Sequence, residues 1–378
     1  MSRSTPPNKD EFEISIIGPG RGECVIVHLG NNEWCVVDSC VPRGSSKSVA
    51  IEYLSSFKNG ALDRVRLIVA THWHDDHIHG LASILRQVPT ASFCCSAALN
   101  TENFFALVGI AETGGQRNSG VDEFVSILET MAEKTTTPQA KRRATPMWAT
   151  EHRSLLQLNQ RDGCFPATVT ALSPSDSTIK LAFADLARLL PQTGDKQRRV
   201  TNRSPNHTSV VLWIEAGSMR ALLGADLEHT SQSDEGWMAV VKCHHDPQSA
   251  ALFKVPHHGS TNADYPQVWT QMLVENPIAV VTPFTGGKSL PRQSDLFRLA
   301  KRTTSLYCTA PSAGKVPSRE ALVEKTMRRQ VIDRRVIEGN PGHVRVRWSL
   351  TNYVTSPVIE LFNGAYQIIQ QSPAISQS

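Results

Sequence analysis

The segment Thr71-His72-Trp73-His74-Asp75-Asp76-His77 constrains this chain more than any other. It packs imidazoles and carboxylates together directly after an apolar run, Val65-Arg66-Leu67-Ile68-Val69-Ala70. A short apolar run bounded by polar residues reads as a buried strand, so the polar cluster falls in the loop at that strand's C-terminal end. On an extended or turning backbone His72 and His74 project to the same side. Asp76 and His77 swing round in the turn, so one loop can serve two adjacent metal ions. Neutral imidazole with carboxylate is a hard-to-borderline donor set that suits Zn, Mn or Fe. A structural zinc site would be closed by Cys or His at paired spacings, and no cysteine is nearby. A solvated histidine-rich loop would lack distant partners, so the reading depends on finding them.

The chain offers room for such partners. Its 378 residues are enough for two average domains or one large one with insertions. Hydrophobic content of 40% and charged content of 20% describe an ordinary globular composition. The net charge of +4 permits a polyanionic ligand without requiring one. The cysteines (Cys24, Cys35, Cys40, Cys94, Cys95, Cys164, Cys243, Cys308) show no CxxC spacing, and several sit in apolar runs, which argues against a disulfide framework. The N-terminal stretch lacks an apolar core with a cleavage site, and no run reaches membrane-span length. The expected compartment is the cytoplasm, with no membrane partner.

Along the chain, Phe12–Ile17, Cys24–Leu29 and Trp34–Asp38 read as antiparallel strands joined by tight turns. Ser48–Phe57 and Ile78–Val88 have helical spacing on either side of the cluster's strand. Between about Thr101 and Gln160 the pattern loosens around one helix, Val121–Glu133, and reads as an insertion over the active face. Strands are expected at 167–172, 209–214, 220–223, 251–255, 277–282 and 305–308, with helices near 179–190 and 295–302. A closing antiparallel set is expected at 330–337, 343–350 and 358–362. The gathered expectation is one domain over 12–350, with the insertion at about 101–165, then a closing strand and flexible tail over 351–378.

Three later positions are candidate partners. Asp226 ends the run Arg220–Ala225, and a carboxylate leaving a buried strand is costly unless paired; its competing role is to cap a helix at Leu227-Glu228. His207 directly precedes a strand, where a lone histidine is commonly just solvated. His257 and His258 follow Phe253-Lys254-Val255-Pro256 and precede Gly259-Ser260. By contrast, His244-His245 reads as a solvated helix end, and Cys94-Cys95 as one residue in and one out of a strand.

The order HxHxDH, His before a strand, Gly-x-Asp, then HHGS resembles the metallo-β-lactamase superfamily. Within it the chain is most similar to the hydrolase domain of ComEC-type DNA-uptake proteins. The residues that carry this are Gly18–Glu23, Asp38, Asn206, Ser209, Gly224–Glu228 and Lys254–Ser260, and the similarity spans roughly 12 to 310 outside the insertion. It implies an α/β fold, a four-layer αββα sandwich with two divalent ions at one edge, zinc being the best match. By position His72, His74 and His207 would hold one ion, Asp76, His77 and His257 the other, and Asp226 would bridge them. His257 is preferred over His258 because related sequences often carry an aromatic in the second position, which leaves His258 as a substrate-facing or supporting group. His207 departs from the ComEC-type pattern and restores that of the wider superfamily.

The chemistry implied is hydrolysis by a hydroxide held between two metals. Asp76, His258 and Asp38 are the candidate catalytic residues, with Asp38 and Asp75 orienting ligands or water. Basic groups at Lys141-Arg142-Arg143, Lys196–Arg199, Arg328-Arg329 and Arg334-Arg335 would suit a phosphate backbone if they converge on the cleft. The first expectation is therefore a phosphodiesterase or nuclease acting on nucleic acid. The alternatives are a hydrolase of lactone, thioester or β-lactam-like carbonyls, and a regulatory protein that binds a partner through the insertion.

Overall fold

The computed structural model describes residues 5–20, 22–100, 119–133, 145–160, 165–189, 205–284, 289–311, 340–351 and 356–369. In chain order the strands are β1 (Glu11–Gly20), β2 (Gly22–His28), β3 (Trp34–Val37), β4 (Val65–Ala70), β5 (Ser92–Ser96), β6 (Met147–Ala149), β7 (Arg153–Leu158) and β8 (Ala167–Ala171). They continue with β9 (Leu212–Ala216), β10 (Met219–Leu223), β11 (Ala250–Lys254), β12 (Leu273–Val281), β13 (Leu306–Cys308), β14 (His343–Ser349), β15 (Val358–Phe362) and β16 (Tyr366–Ile368). Sheet 1 has the order β15-β14-β1-β2-β3-β4-β5-β6, and sheet 2 the order β16-β13-β12-β11-β10-β9-β8-β7.

Each sheet is antiparallel in one part and parallel in another. In sheet 1 the neighbours from β3 through β6 run parallel. In sheet 2 those from β10 through β13 do. Parallel strands need both faces covered, and the sequence supplies this with runs that stay apolar rather than alternating. β2 and β3 are buried at every residue. Three apolar layers result. One lies between the sheets, with Ile14, Val27, Val69, Val169, Leu212 and Val280 among its members. A second joins sheet 1 to α1 (Val49–Ser55), α2 (Asp75–Ile78), α3 (Leu81–Gln87) and α4 (Ser119–Glu133). After α5 (Asp176–Leu189), the third joins sheet 2 to α6 (Gly236–Cys243), α7 (Pro266–Gln271) and α8 (Gln293–Ala300). This is the expected four-layer αββα sandwich.

Local differences from the sequence reading have physical causes. Cys94 and Cys95 are both buried, because Cys94 faces the layer between the sheets while Cys95 faces the helices. The described cysteines are free. The helix expected at 78–88 is broken at Gly80, whose φ of +89° starts a new helix at Leu81. The span read as an insertion carries β6 and β7, the edge strands of the two sheets. Their half-exposed residues gave no apolar run to read. The strand expected at 330–337 and all four of the basic groups lie outside the described residues. No described helix is long and apolar enough to cross a membrane.

The chain passes between sheets at both edges, from β6 to β7 on one side and from β15 to β16 on the other. The strand ends that matter below are the C-terminal ends of the parallel strands β3, β4, β10, β11 and β12, where α/β sheets place ligands.

Candidate metal centre

β4 delivers Thr71 to His74, and the four-residue helical turn α2 delivers Asp76 and His77. His72 and His77 are buried, while His74 and Asp76 are half-buried. His72 Nε2 stands 3.1 Å from His74 Nδ1. Two imidazole nitrogens on one tetrahedral zinc stand about 3.3 Å apart, so this pair has the spacing of two ligands to one ion. Burial holds the pKa of His72 well below its ordinary value and lowers that of His74, which keeps both in the neutral form that ligates.

Asp38 follows β3 with φ of +58°, a left-handed position that Asp tolerates better than most side chains. Its Oδ1 accepts from Thr71 N at 2.7 Å, and its Oδ2 accepts from Thr71 Oγ1 and faces His77 Nδ1, both at 2.7 Å. His77 Nε2 is thereby turned toward Asp226 Oδ1, 3.4 Å away.

Asp226 does not cap a helix. It lies in the turn after β10, and the next helix begins at Gly236. Its Oδ2 is 3.6 Å from His258 Nε2, and His258 Nε2 is 3.3 Å from Asp76 Oδ2. Asp76, His77, Asp226 and His258 each present one donor atom, all within 4.8 Å of one another. His77 Nε2, Asp226 Oδ1 and His258 Nε2 are buried yet have no hydrogen-bond partner. Such orphaned donors cost free energy unless something satisfies them, and a divalent cation does. Burial opposes charge on His77 and His258, yet Asp226 and neighbouring carboxylates hold both pKa values above the ordinary one. Burial likewise opposes charge on Asp226, and His77 and His258 outweigh it to hold that carboxyl well below its usual range. The field at this point favours positive charge.

His258, and not the expected His257, is the histidine that joins this group of four. Both residues have positive φ, +45° and +52°, so the alternation of an extended strand does not apply. His258 turns inward, its Nδ1 donating to Thr282 O at 2.9 Å and its ring stacked on Phe284. A carbonyl only accepts, so Nδ1 carries a proton, and the neutral form that ligates has its Nε2 bare. His257 turns to the rim, where its Nδ1 is 3.3 Å from Glu228 Oε1 and its Nε2 is 3.3 Å from Asn206 Nδ2.

In the sequence Glu228 stands only as the end of the Gly224–Glu228 motif, with no role of its own. It accepts from Asn206 Nδ2 at 2.9 Å and lies 4.0 Å from His207 Nε2. His207 sits in a short 3-10 turn, Pro205–Thr208, with a third of its side chain exposed, and belongs to this rim group rather than to the buried four. Asp75 is exposed at the first turn of α2. His244 closes α6 with its ring tilted against Trp213, 4.4 Å between centroids, while His245 is exposed.

Beneath the cluster lie Glu23 and Lys254, a buried ion pair. In the sequence they stand only within the Gly18–Glu23 and Lys254–Ser260 motifs, with no role of their own. Gly22 is required by close approach: with φ of +112°, a Cβ there would lie 2.5 Å from Ser39 O and 2.6 Å from Asp76 O.

A family model described as the metallo-beta-lactamase superfamily matches residues 17–264. The chain belongs to that superfamily. Most members of this metallo-β-lactamase group are metal-dependent hydrolases, and the fold typically binds divalent metals. Similar solved structures include the metallo-beta-lactamase fold protein YhfI from Bacillus subtilis, 12% identical over 65% of this chain and 70% of that one, with a TM-score of 0.32. MEM-A1, a subclass B3 metallo-beta-lactamase from a soil metagenome library, is 15% identical over 67% and 82%, with a TM-score of 0.32. Zn(2+)-bound PqqB from Methylobacterium extorquens is 14% identical over 63% and 60%, with a TM-score of 0.29. A search of curated proteins finds no match.

Proposed function

We propose that the protein is a dinuclear metal-dependent phosphodiesterase, with nucleic acid as the leading substrate class. The observation that carries this reading is Asp226, a buried carboxylate set between His77 of sheet 1 and His258 of sheet 2, with Asp76 beside them. Asp76, His77 and His258 would hold one ion and His72, His74 and His207 the other, with Asp226 between. When bound, such a pair provides a nucleophilic water ionised near neutral pH and offsets charge on both the attacking and the leaving oxygen of an in-line displacement.

The chain's own residues do the rest. Asp38 and Thr282 O fix the protons of His77 and His258 on Nδ1, leaving both Nε2 atoms bare toward the centre. Asn206 and Glu228 hold His257 at the rim, which gives it the substrate-facing place first expected of His258. The donor set joins imidazoles to two carboxylates, Asp76 and Asp226, and is hard to borderline, which is compatible with phosphoryl oxygen.

The test is turnover of bis-p-nitrophenyl phosphate, single-stranded DNA and an acyl-lactone after loading with Zn or Mn. Metal-dependent cleavage of the phosphodiesters is expected, and His74→Ala should abolish it with the fold intact. Cleavage of the lactone alone would move the assignment to acyl hydrolysis. No turnover of any, together with tight binding of a partner protein, would favour the regulatory reading.

A further inference from the structure

The two sheets each bring half of the ligand candidates, and a single buried ion pair joins the halves directly beneath them. Glu23 stands on β2 of sheet 1 and Lys254 at the end of β11 of sheet 2; they are 2% and 1% exposed. Lys254 Nζ also donates to Ala225 O at 3.2 Å, the carbonyl preceding Asp226. Ala225 has φ of +45°, so the turn bearing Asp226 is held in a left-handed conformation that needs outside support. The carboxylate of Glu23 reaches both ways. Its Oε1 is 3.8 Å from His77 Nδ1 and its Oε2 is 3.7 Å from His258 Nδ1. Oε2 itself has no hydrogen-bond partner.

One acid and one base thus touch a histidine from each sheet and the turn that carries the shared aspartate. Stability alone does not explain the pair, because a buried ion pair can often be exchanged for apolar groups of similar volume without loss. A protonated lysine has no lone pair to ligate with, and Glu23 is engaged by that lysine. We infer that Glu23 and Lys254 are positioning residues that set the separation of the two ligand halves, so that Asp76, His77, Asp226 and His258 close on one divalent ion. The inference rests on the metal reading above. It is graded: His72 and His74 come from one loop of one sheet, so their ion depends on this spacing only through Asp226 and His207.

The test is zinc binding by Glu23→Gln/Lys254→Met, a double variant that removes one charge of each sign and leaves the net charge of the pocket unchanged. Zinc stoichiometry and affinity are read by dialysis with metal analysis and by competition with a chromophoric chelator. Wild-type protein is expected to bind two equivalents. The double variant should weaken one equivalent at least tenfold more than the other. Two equivalents bound with wild-type affinity would overturn the inference. If circular dichroism shows the double variant unfolded, Glu23→Asp decides, since it keeps the charge and withdraws the carboxylate by one methylene. It should weaken the same equivalent most, and an undiminished affinity for that equivalent overturns the inference. The remote buried pair Glu13–Arg347 is the control. Its variant Glu13→Gln/Arg347→Met should leave both affinities in place, and an equal selective loss there would reduce the effect to general loosening and overturn the inference. Wild-type protein that binds no divalent metal would instead overturn the metal reading itself, and the inference with it.

Discussion

His77 Nδ1 lies 2.7 Å from Asp38 Oδ2, and that contact decides which nitrogen of a fully buried imidazole is left bare. The same carboxylate is held by two further bonds from Thr71, so it cannot turn away. Asp38→Asn keeps the shape, and Asn tolerates the left-handed backbone at this position. The amide is a poorer partner for an imidazole N–H. Metal affinity should fall by about ten- to a hundredfold, the usual effect of removing such a support. Chelator competition measures it, and an unchanged affinity would remove Asp38 from the site.

The exchange of His257 and His258 is directly testable. His258→Ala should lose one of two metal equivalents, because its bare Nε2 faces Asp76 and Asp226. His257→Ala should keep both and impair turnover instead. Metal analysis of the two purified variants separates these outcomes, and the reverse pattern would restore the assignment expected from related sequences.

Gly22→Ala should be damaging although no functional side chain changes. A Cβ at that point meets the carbonyls of Ser39 and Asp76, and the backbone is already at positive φ. Relief requires moving the turn that carries Asp76 and His77. A loss of about 2 kcal/mol in stability is expected, within the usual range for a strained left-handed position. Denaturant titration should show it together with weaker metal binding. A variant as stable as wild type would mean that the contact relaxes freely.

Acid should weaken the fold through two histidines away from the centre. Burial pushes the pKa of His28 down to about 4 and that of His343 down to about 3. Both are lower than in the unfolded chain, near 6.5, so the unfolded state binds more protons between those limits. The stability contributed by the neutral forms is complete above about pH 6.5 and is lost as pH falls toward the folded values. The loss is about 1.4 kcal/mol per pH unit for each group. His28 Nε2 accepts from Asn32 N at 2.9 Å, a bond that glutamine can replace. Melting temperature between pH 6.5 and 5 should therefore decline less steeply in His28→Gln than in wild type, and identical slopes would exclude this residue as a source of acid sensitivity.

Much of this centre was legible because its donors sit where strands end. The run Val65–Ala70 gave β4, and the cluster after it has to leave the sheet at that point. Asp226 stood out as a carboxylate leaving a buried strand, and its two facing imidazoles show why it is tolerated there. What stayed hidden depends on facts that spacing does not carry. His257 and His258 are told apart by two consecutive left-handed residues. Glu23 and Lys254 gain meaning only when β2 and β11 are brought face to face from opposite sheets. Glu228 reads as a surface acid until Asn206 and His257 close around it. β6 and β7 are short edge strands, half exposed, whose order is set by neighbours rather than by their own residues.

The pairing of β1 with β14 has a consequence for synthesis. Glu11 lies opposite Ser349 and Ile17 opposite His343, so a strand made near the beginning finds its second neighbour more than three hundred residues later. Until then a growing chain carries β1 as an open edge, with Glu13 awaiting Arg347. Contacts this far apart in sequence form slowly, and an unpaired edge is prone to join another chain. Truncation before His343 should thus yield aggregation rather than a smaller folded protein, even though every candidate metal donor precedes that point.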